Sequence, residues 1–352
     1  MSFQDGWAAL NLEMPSRVPH TEYSVTEHWD VVKAVTGLDV GVESPPELQR
    51  QGSLALMEAW NFDFRWSTLI SDADVAEYST DMGHAEYAAG GVDRRDTIHC
   101  PFETPEQVLN FDPWEVYGPR DEATLIRRFE ESYRHQREET PEQVTMTGVY
   151  ITLVSGLIAI FGWDMLLLAA GVDQKRFGEV ANRYASWIQQ YYDALGKADV
   201  PVVMVHDDIV WSSGAFISPR WYRSYVFPNY QKLFAPLLDS GKKIVYTSDG
   251  DYTRFVDDIA DCGVHGFVFE PFTDMVYIAE KYGKTHAFIG NADTRILLRG
   301  KRDEIRAEVE RCMAIGKACP GFFMAVGNHI PANTPVDAVL YYNEVYEELS
   351  RR

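Results

Sequence analysis

The chain has 352 residues, 46% hydrophobic and 24% charged, an ordinary soluble composition with ample material for a core. Its formal net charge of −21 excludes a broad surface for nucleic acid or an anionic membrane, since phosphates would be repelled. Cys100, Cys262, Cys312 and Cys319 show no CxxC spacing, and MSFQDGWAALNLEMPSR has no basic segment followed by an apolar core. Both features point to a cytoplasmic protein with reduced thiols and no secretory signal.

Residues 1–16 read as a short amphipathic lead-in, and Arg17–Ser24 as a first strand ending in Glu22 and Tyr23. Helical periodicity runs through Trp29–Thr36 and Pro46–Trp60, and Phe62–Ile70 reads as a second strand ending at Asp72. The segment of about 73–119 is irregular and rich in Gly, Asp and aromatics. It is too long for a simple connection, so it reads as an elaborated loop with its own hairpin, of the kind that covers a site. Asp121–Glu138 is a charged helix, Val144–Thr152 a third strand, and Ala159–Leu195 two helices. The apolar window Val149–Ala170 is broken by Thr152, Ser155, Gly156, Gly162 and Asp164, which falls short of a membrane span.

Pro201–Asp208 is a buried strand that runs into His206, Asp207 and Asp208, and a helix follows over Pro219–Ser240. Lys242–Ser248 ends in Asp249, His265–Phe269 in Glu270, Thr285–Gly290 in Asn291 and Asp293, and Gly321–Val326 in Asn328 and His329. Strands and helices alternating every ~20–40 residues suit parallel βαβ units. Eight apolar runs of this kind predict an α/β chain folded as one closed (β/α)8 TIM barrel over 1–352, with the loop segment inserted.

In such a barrel the working residues lie at the C-terminal strand ends. That ring holds Glu22, Asp72, Tyr150, His206, Asp208, Asp249, Glu270, Asn291, Asp293, Asn328 and His329. Carboxylates converging on one mouth repel unless protons or a cation sit among them. An acid just after a strand is more often a helix N-cap, which applies to Asp293 and Asp251. Two chemistries fit. Asp249, Glu270, His206 and His329 are candidate ligands for zinc with an open position. Alternatively, the work is metal-free acid–base chemistry, with Asp72 or Asp208 placed to stabilise a developing cation or supply a proton. Trp66, Trp211, Tyr246, Phe267, Phe272 and Phe288 add aromatic surface, most of it barrel core, and any ring that reaches the mouth favours a flat organic ligand. No Gly spacing suits a dinucleotide or a P-loop.

The stretches HDDIVWSSGAFISPRWYRSYVFPNYQKLF, GKKIVYTSDGD, KYGKTHAFIGNADT and VGNHIPANTPVDAV, with LISDADV, give the chain its resemblance. From about Phe62 to Leu349 it resembles the uroporphyrinogen decarboxylase superfamily, (β/α)8 barrels that include decarboxylases and cobalamin-linked methyltransferases. The resemblance places the decarboxylases' catalytic aspartate on Asp72. It departs from them where an N-terminal arginine pair would grip a polycarboxylate, since RVPHTEYSVTEHW offers only Arg17. It departs from the thiolate-zinc methyltransferases too, because Thr247-Ser248-Asp249 stands at the His-x-Cys position and Asn328-His329 near the later Cys.

The resemblance therefore implies a demethylase with a harder zinc site built on Asp249, Glu270 and His329. Asp72, Asp208 and His206 would be catalytic, and Glu22, Tyr150, Trp211, Tyr246 and Asn291 would contact the substrate. The partners it implies are a small methyl donor, an O-methyl aromatic compound, and a corrinoid on a separate carrier protein. Homodimerisation is common in the family. The alternatives are a metal-free decarboxylase or lyase centred on Asp72 and a non-catalytic tetrapyrrole or corrinoid binder.

Overall fold

A computed structural model describes residues 3–78, 80 and 99–352. Strands β1 (Phe64–Arg65) and β2 (Val144–Thr145) form a parallel pair, and β3 (Thr147–Val149), β4 (Val202–His206), β5 (Lys243–Thr247), β6 (Gly266–Val268), β7 (Ala287–Ile289) and β8 (Phe322–Phe323) form a parallel sheet in chain order. β2 and β3 run on in one stretch. Neither sheet closes by itself; single bridges complete the ring. His20 bridges Met324 in parallel, the Met324 amide donates to the Pro19 carbonyl, and the Asp63 amide donates to the His20 carbonyl. The segment around His20 is thus the first of eight staves.

The expected first strand, Arg17–Ser24, is consequently an irregular stave, and the expected second, Phe62–Ile70, keeps only Phe64–Arg65 and an isolated bridge from Ile70 to Val149. Pro19 removes one ladder donor from the first of them. The helix expected over Pro219–Ser240 is two helices, Pro219–Tyr225 and Phe227–Asp239, because Pro228 has no amide to continue the first. In the segment 73–119 the described residues hold only short helical turns, Asp72–Tyr78, Pro105–Leu109 and Pro113–Tyr117. The remainder of the expected hairpin lies outside the described residues.

The strand pleat sorts side chains into two cores, because successive residues face opposite sides. Phe64, Val144, Met146, Val202, Met204, Val245, Val268, Ile289, Phe323 and Ala325 fill the lumen with Ala9 and Leu10 of helix α1 (Phe3–Leu10). The other face, with Val203, Val205, Tyr246, Phe267, Phe288 and Phe322, packs against the surrounding helices. Helix α2 (Val154–Val172) is long and apolar enough, by length and composition, to cross a membrane, yet 67% of that window is buried. Gly162 interrupts it at φ 67°, ψ 165°, a conformation open to glycine, and both halves lie in the helical layer of the core.

Candidate active site

Above the lumen lies a partly open cavity, about 520 Å³ of non-atom space with the open solvent at its mouth included, lined by Thr21, Tyr23, Trp66, Tyr150, Met204, His206, Thr247, Asp249, Val268, Ile289, Ala325, Gly327, Asn328 and His329. Pleat parity explains the selection. His206 continues the lumen face of Met204, Thr247 and Asp249 continue that of Val245, and Trp66 continues that of Phe64. The walls are aromatic and aliphatic, and no Lys or Arg is among the described lining residues.

The polar end is built around His206. Its Nδ1 donates to the Tyr150 carbonyl at 2.9 Å, and its Nε2 lies 3.3 Å from Asp208 Oδ1. Burial alone would lower the pKa of this imidazole, but Asp208, through its charge and hydrogen bond, and Asp249 raise it to about 9. With an acceptor at each nitrogen, His206 is an imidazolium at neutral pH. Asp208 Oδ1 also accepts the Asp249 amide at 2.8 Å. Asp249 is nearly fully buried; desolvation first, then the charges of Asp208 and Glu270, push its pKa well above the usual carboxylate range.

Desolvation raises Glu270 as well. However, its Oε2 accepts the Gly250 amide at 2.5 Å and its Oε1 accepts Asn328 Nδ2. Those donors favour charge on Glu270, so Asp249 is the group that keeps the proton. Tyr150 and Tyr23 share a hydrogen bond, and burial raises both phenols. Trp66 meets Tyr23 edge-on at 6.0 Å, and His329 meets it at 4.8 Å.

The other expected residues sit elsewhere. Glu22 faces away from the lumen between Thr21 and Tyr23. It is 4% exposed, and its carboxylate accepts from Tyr342, His20 and the Val326 amide. Tyr246 faces the helices and donates to the Asp207 carbonyl at 3.1 Å. Asn291 is 1% exposed, with its amide spent on the Glu270 and Thr273 carbonyls and its oxygen on Arg311. These three were expected to touch substrate, and none lines the cavity. Trp211, also expected to touch substrate, is 43% exposed outside the cavity lining, in an aromatic group with Trp163 and Phe216. Asp72 opens the turn Asp72–Tyr78 outside the cavity lining, within electrostatic reach of the Tyr150 hydroxyl. Asp293 caps the helix Thr294–Arg299 by accepting the Arg295 amide, and Asp251 likewise accepts the Thr253 amide.

Two of the donors expected for zinc are partly engaged, Asp249 and Glu270 by Asn328 and the Gly250 amide, while the His329 ring packs edge-on against Tyr23. Among the described residues no three His, Cys, Asp or Glu side chains gather as a set able to hold a metal ion. Asp249, Glu270 and His329 therefore do not fit the ion in this arrangement. Sequence reasoning placed Asn328 in the ring of strand-end residues but passed over Tyr23 and Thr247 as members of the site. Parity with the apolar lumen residues is the signal that finds Thr247.

The family model of uroporphyrinogen decarboxylase (URO-D) matches residues 103–349. A uroporphyrinogen decarboxylase of Thermus thermophilus is 28% identical over 161 residues, covering 46% of this chain and 45% of the relative. One of Salinispora tropica is 26% identical over 173 residues, covering 49% and 45%. The matches span less than half the length of these curated relatives. In structure, the chain is similar to a methyltransferase from Methanosarcina mazei, with TM-score 0.65 and 19% identity over 99% of each chain; this likeness establishes the fold alone. With the family model matching well over half of its length, the chain belongs to the uroporphyrinogen decarboxylase family.

Proposed function

We propose that this chain is a methyltransferase that demethylates a small O-methyl aromatic compound and passes the methyl to a corrinoid on a separate carrier protein. The observation that carries this reading is the aromatic cavity, free of Lys and Arg among its described lining residues, ending on a buried acid and an imidazolium. A polycarboxylate porphyrinogen would find no guanidinium or ammonium partner in that lining. Arg17, the sole counterpart of the decarboxylases' arginine pair, is spent on Asp63 at 2.6 Å and on Tyr346.

Tyr23, Trp66 and Tyr150 offer faces and edges for a flat ring, contacts worth ~0.5–1.5 kcal/mol per aromatic pair. Ether cleavage needs help at the leaving oxygen, because an alkoxide or phenoxide leaves poorly. As the methyl carbon–oxygen bond breaks, its electron pair stays on oxygen and Asp249 gives that oxygen its proton. His206, held as a cation by Asp208 and the Tyr150 carbonyl, stabilises the charge left behind. The reduced corrinoid supplies the nucleophile when the carrier protein docks.

Decarboxylation is the second reading, supported by the placement of Asp72 within electrostatic reach of the Tyr150 hydroxyl. One assay separates the two. The purified chain is offered a broad panel of methoxyarenes with a corrinoid carrier protein held reduced, and in parallel uroporphyrinogen. Phenol release with methylated corrinoid is the expected result. Carbon dioxide from the porphyrinogen with no turnover across the ethers would overturn the proposal.

A further inference from the structure

The ladder between β4 and β5 ends at Asp207, whose amide donates to the Thr247 carbonyl at 2.9 Å. The next two amides go to serine side chains instead of carbonyls. Asp208 donates to Ser155 Oγ at 2.7 Å, and Ile209 to Ser248 Oγ at 3.3 Å. Ser155 is 2% exposed and stands in the first turn of helix α2. That helix takes no cap from the Leu153 side chain; its Leu153 and Ser155 amides donate to Asp207 Oδ1 at 3.2 and 2.6 Å. Helix and strand end thus exchange partners, a carboxylate one way and a hydroxyl the other. Tyr184 braces this turn from the helix Gln174–Lys197. Its hydroxyl donates to the Ile151 carbonyl at 2.6 Å and lies 2.0 Å from where a Cβ on Gly156 would stand.

Asp208 is therefore held at both ends. Ser155 fixes its amide, while its Oδ1 accepts the Asp249 amide at 2.8 Å and lies 3.3 Å from His206 Nε2. Only χ1 and χ2 separate that backbone from the carboxylate, so a displaced amide swings the oxygens away from the imidazole. Among the described residues the Asp208 amide is the one partner of the Ser155 hydroxyl, so alanine would cost helix α2 no bond of its own. We infer that Ser155 is a positioning residue, which through the Asp208 amide sets the Asp208 carboxylate against His206 Nε2. Its effect on turnover rests on the demethylase reading above; its effect on the contact between Asp208 and His206 does not.

The test compares the full wild-type chain with Ser155→Ala, Asp208→Ala and the two combined. Proton NMR reads the His206 Nε2 proton, which resonates downfield while Asp208 accepts it and is assigned by its absence from His206→Gln. The resonance is present in wild type and lost in both single variants, while thermal unfolding of Ser155→Ala stays cooperative. Ether turnover falls about tenfold in Ser155→Ala, the order of one net hydrogen bond. In the Asp208→Ala background Ser155→Ala has no further effect, because a residue acting only through Asp208 has nothing left to act on. A wild-type resonance in Ser155→Ala overturns the inference, as does a loss of turnover that recurs in the Asp208→Ala background. Absence of the resonance from wild type overturns it too. Should the alanine chain not fold, Ser155→Cys keeps the volume with a weak acceptor and is read in the same way. If wild type turns over no ether, the demethylase reading fails, and the resonance alone decides the inference.

Discussion

The imidazole of His206 lies flat on the phenol ring of Tyr150, with 3.8 Å between ring centroids and 3° between planes. The same ring donates from Nδ1 to the Tyr150 carbonyl. Stacking and hydrogen bond together leave the imidazole one orientation, with Nε2 towards Asp208. A cation is thereby fixed at the polar end of a cavity whose other walls are largely aromatic and aliphatic.

That cation makes stability depend on pH. The folded pKa of His206, about 9, lies above the unfolded value near ~6.5. Its contribution is therefore complete below the unfolded value and is lost as pH rises through the folded one. Urea unfolding at pH 6.5 and pH 9.5 should differ by ~1–3 kcal/mol from this source, and His206→Gln should lose that part of the difference. An unchanged slope in the variant would remove His206 as its origin.

Asp249→Asn keeps the shape of the side chain and removes its proton. Turnover of unactivated methyl ethers should fall by ~10²–10⁴, and the loss should shrink for ethers whose phenol is a stronger acid. The raised pKa of Asp249 also means that its ionisation weakens the fold as pH rises above the unfolded carboxylate range. The variant should therefore melt no lower than wild type at pH 8. Comparing nitro-substituted with plain methoxybenzene, and scanning melting temperature, checks both statements.

Glu22 predicts the opposite pattern. Its buried carboxylate joins the first stave to Tyr342 in the helix Val336–Leu349 and to the Val326 amide after β8. Glu22→Ala orphans these donors and should cost ~3–5 kcal/mol in urea unfolding, with methoxyarene binding to the folded fraction unchanged. Weaker binding at undiminished stability would return Glu22 to the substrate site.

Gly148 tests the ring. A Cβ there would lie 1.9 Å from the Met204 carbonyl oxygen, inside the β3–β4 pairing. Gly148→Ala must push two staves apart and should destabilise the fold by more than ~3 kcal/mol, seen as loss of cooperative unfolding or of soluble expression.

The barrel was legible in the sequence wherever strands were regular. The apolar runs into His206, Asp249 and Glu270 end where the structure puts the mouth, because a parallel strand covered on both faces must be continuously apolar. That same continuity hid which side each polar residue takes. His206 and Asp249 reach the cavity, whereas Asp207 and Tyr246 go outward to Tyr230 and the helices. One-residue parity decides this, and the run VVMVH shows no alternation from which to read it. Tyr23 and Trp66 were harder still, because their staves are held by isolated bridges and short pairings. Asn291 looked like a strand-end substrate contact, and in the structure its amide serves the backbone of the β6 loop, a tertiary role that composition does not reveal.

Helix α1 sets Ala9 and Leu10 among the lowest lumen residues, and the Gly6 backbone comes close to Asp63 and Val144. The barrel is therefore a vessel with a floor: whatever enters by the mouth leaves by the mouth. A carrier protein seated on that mouth would block both reactant and product. On the proposed demethylase reading turnover would then have a compulsory order, with the ether loaded first, the acceptor docked second, and the phenol released only after the acceptor has departed.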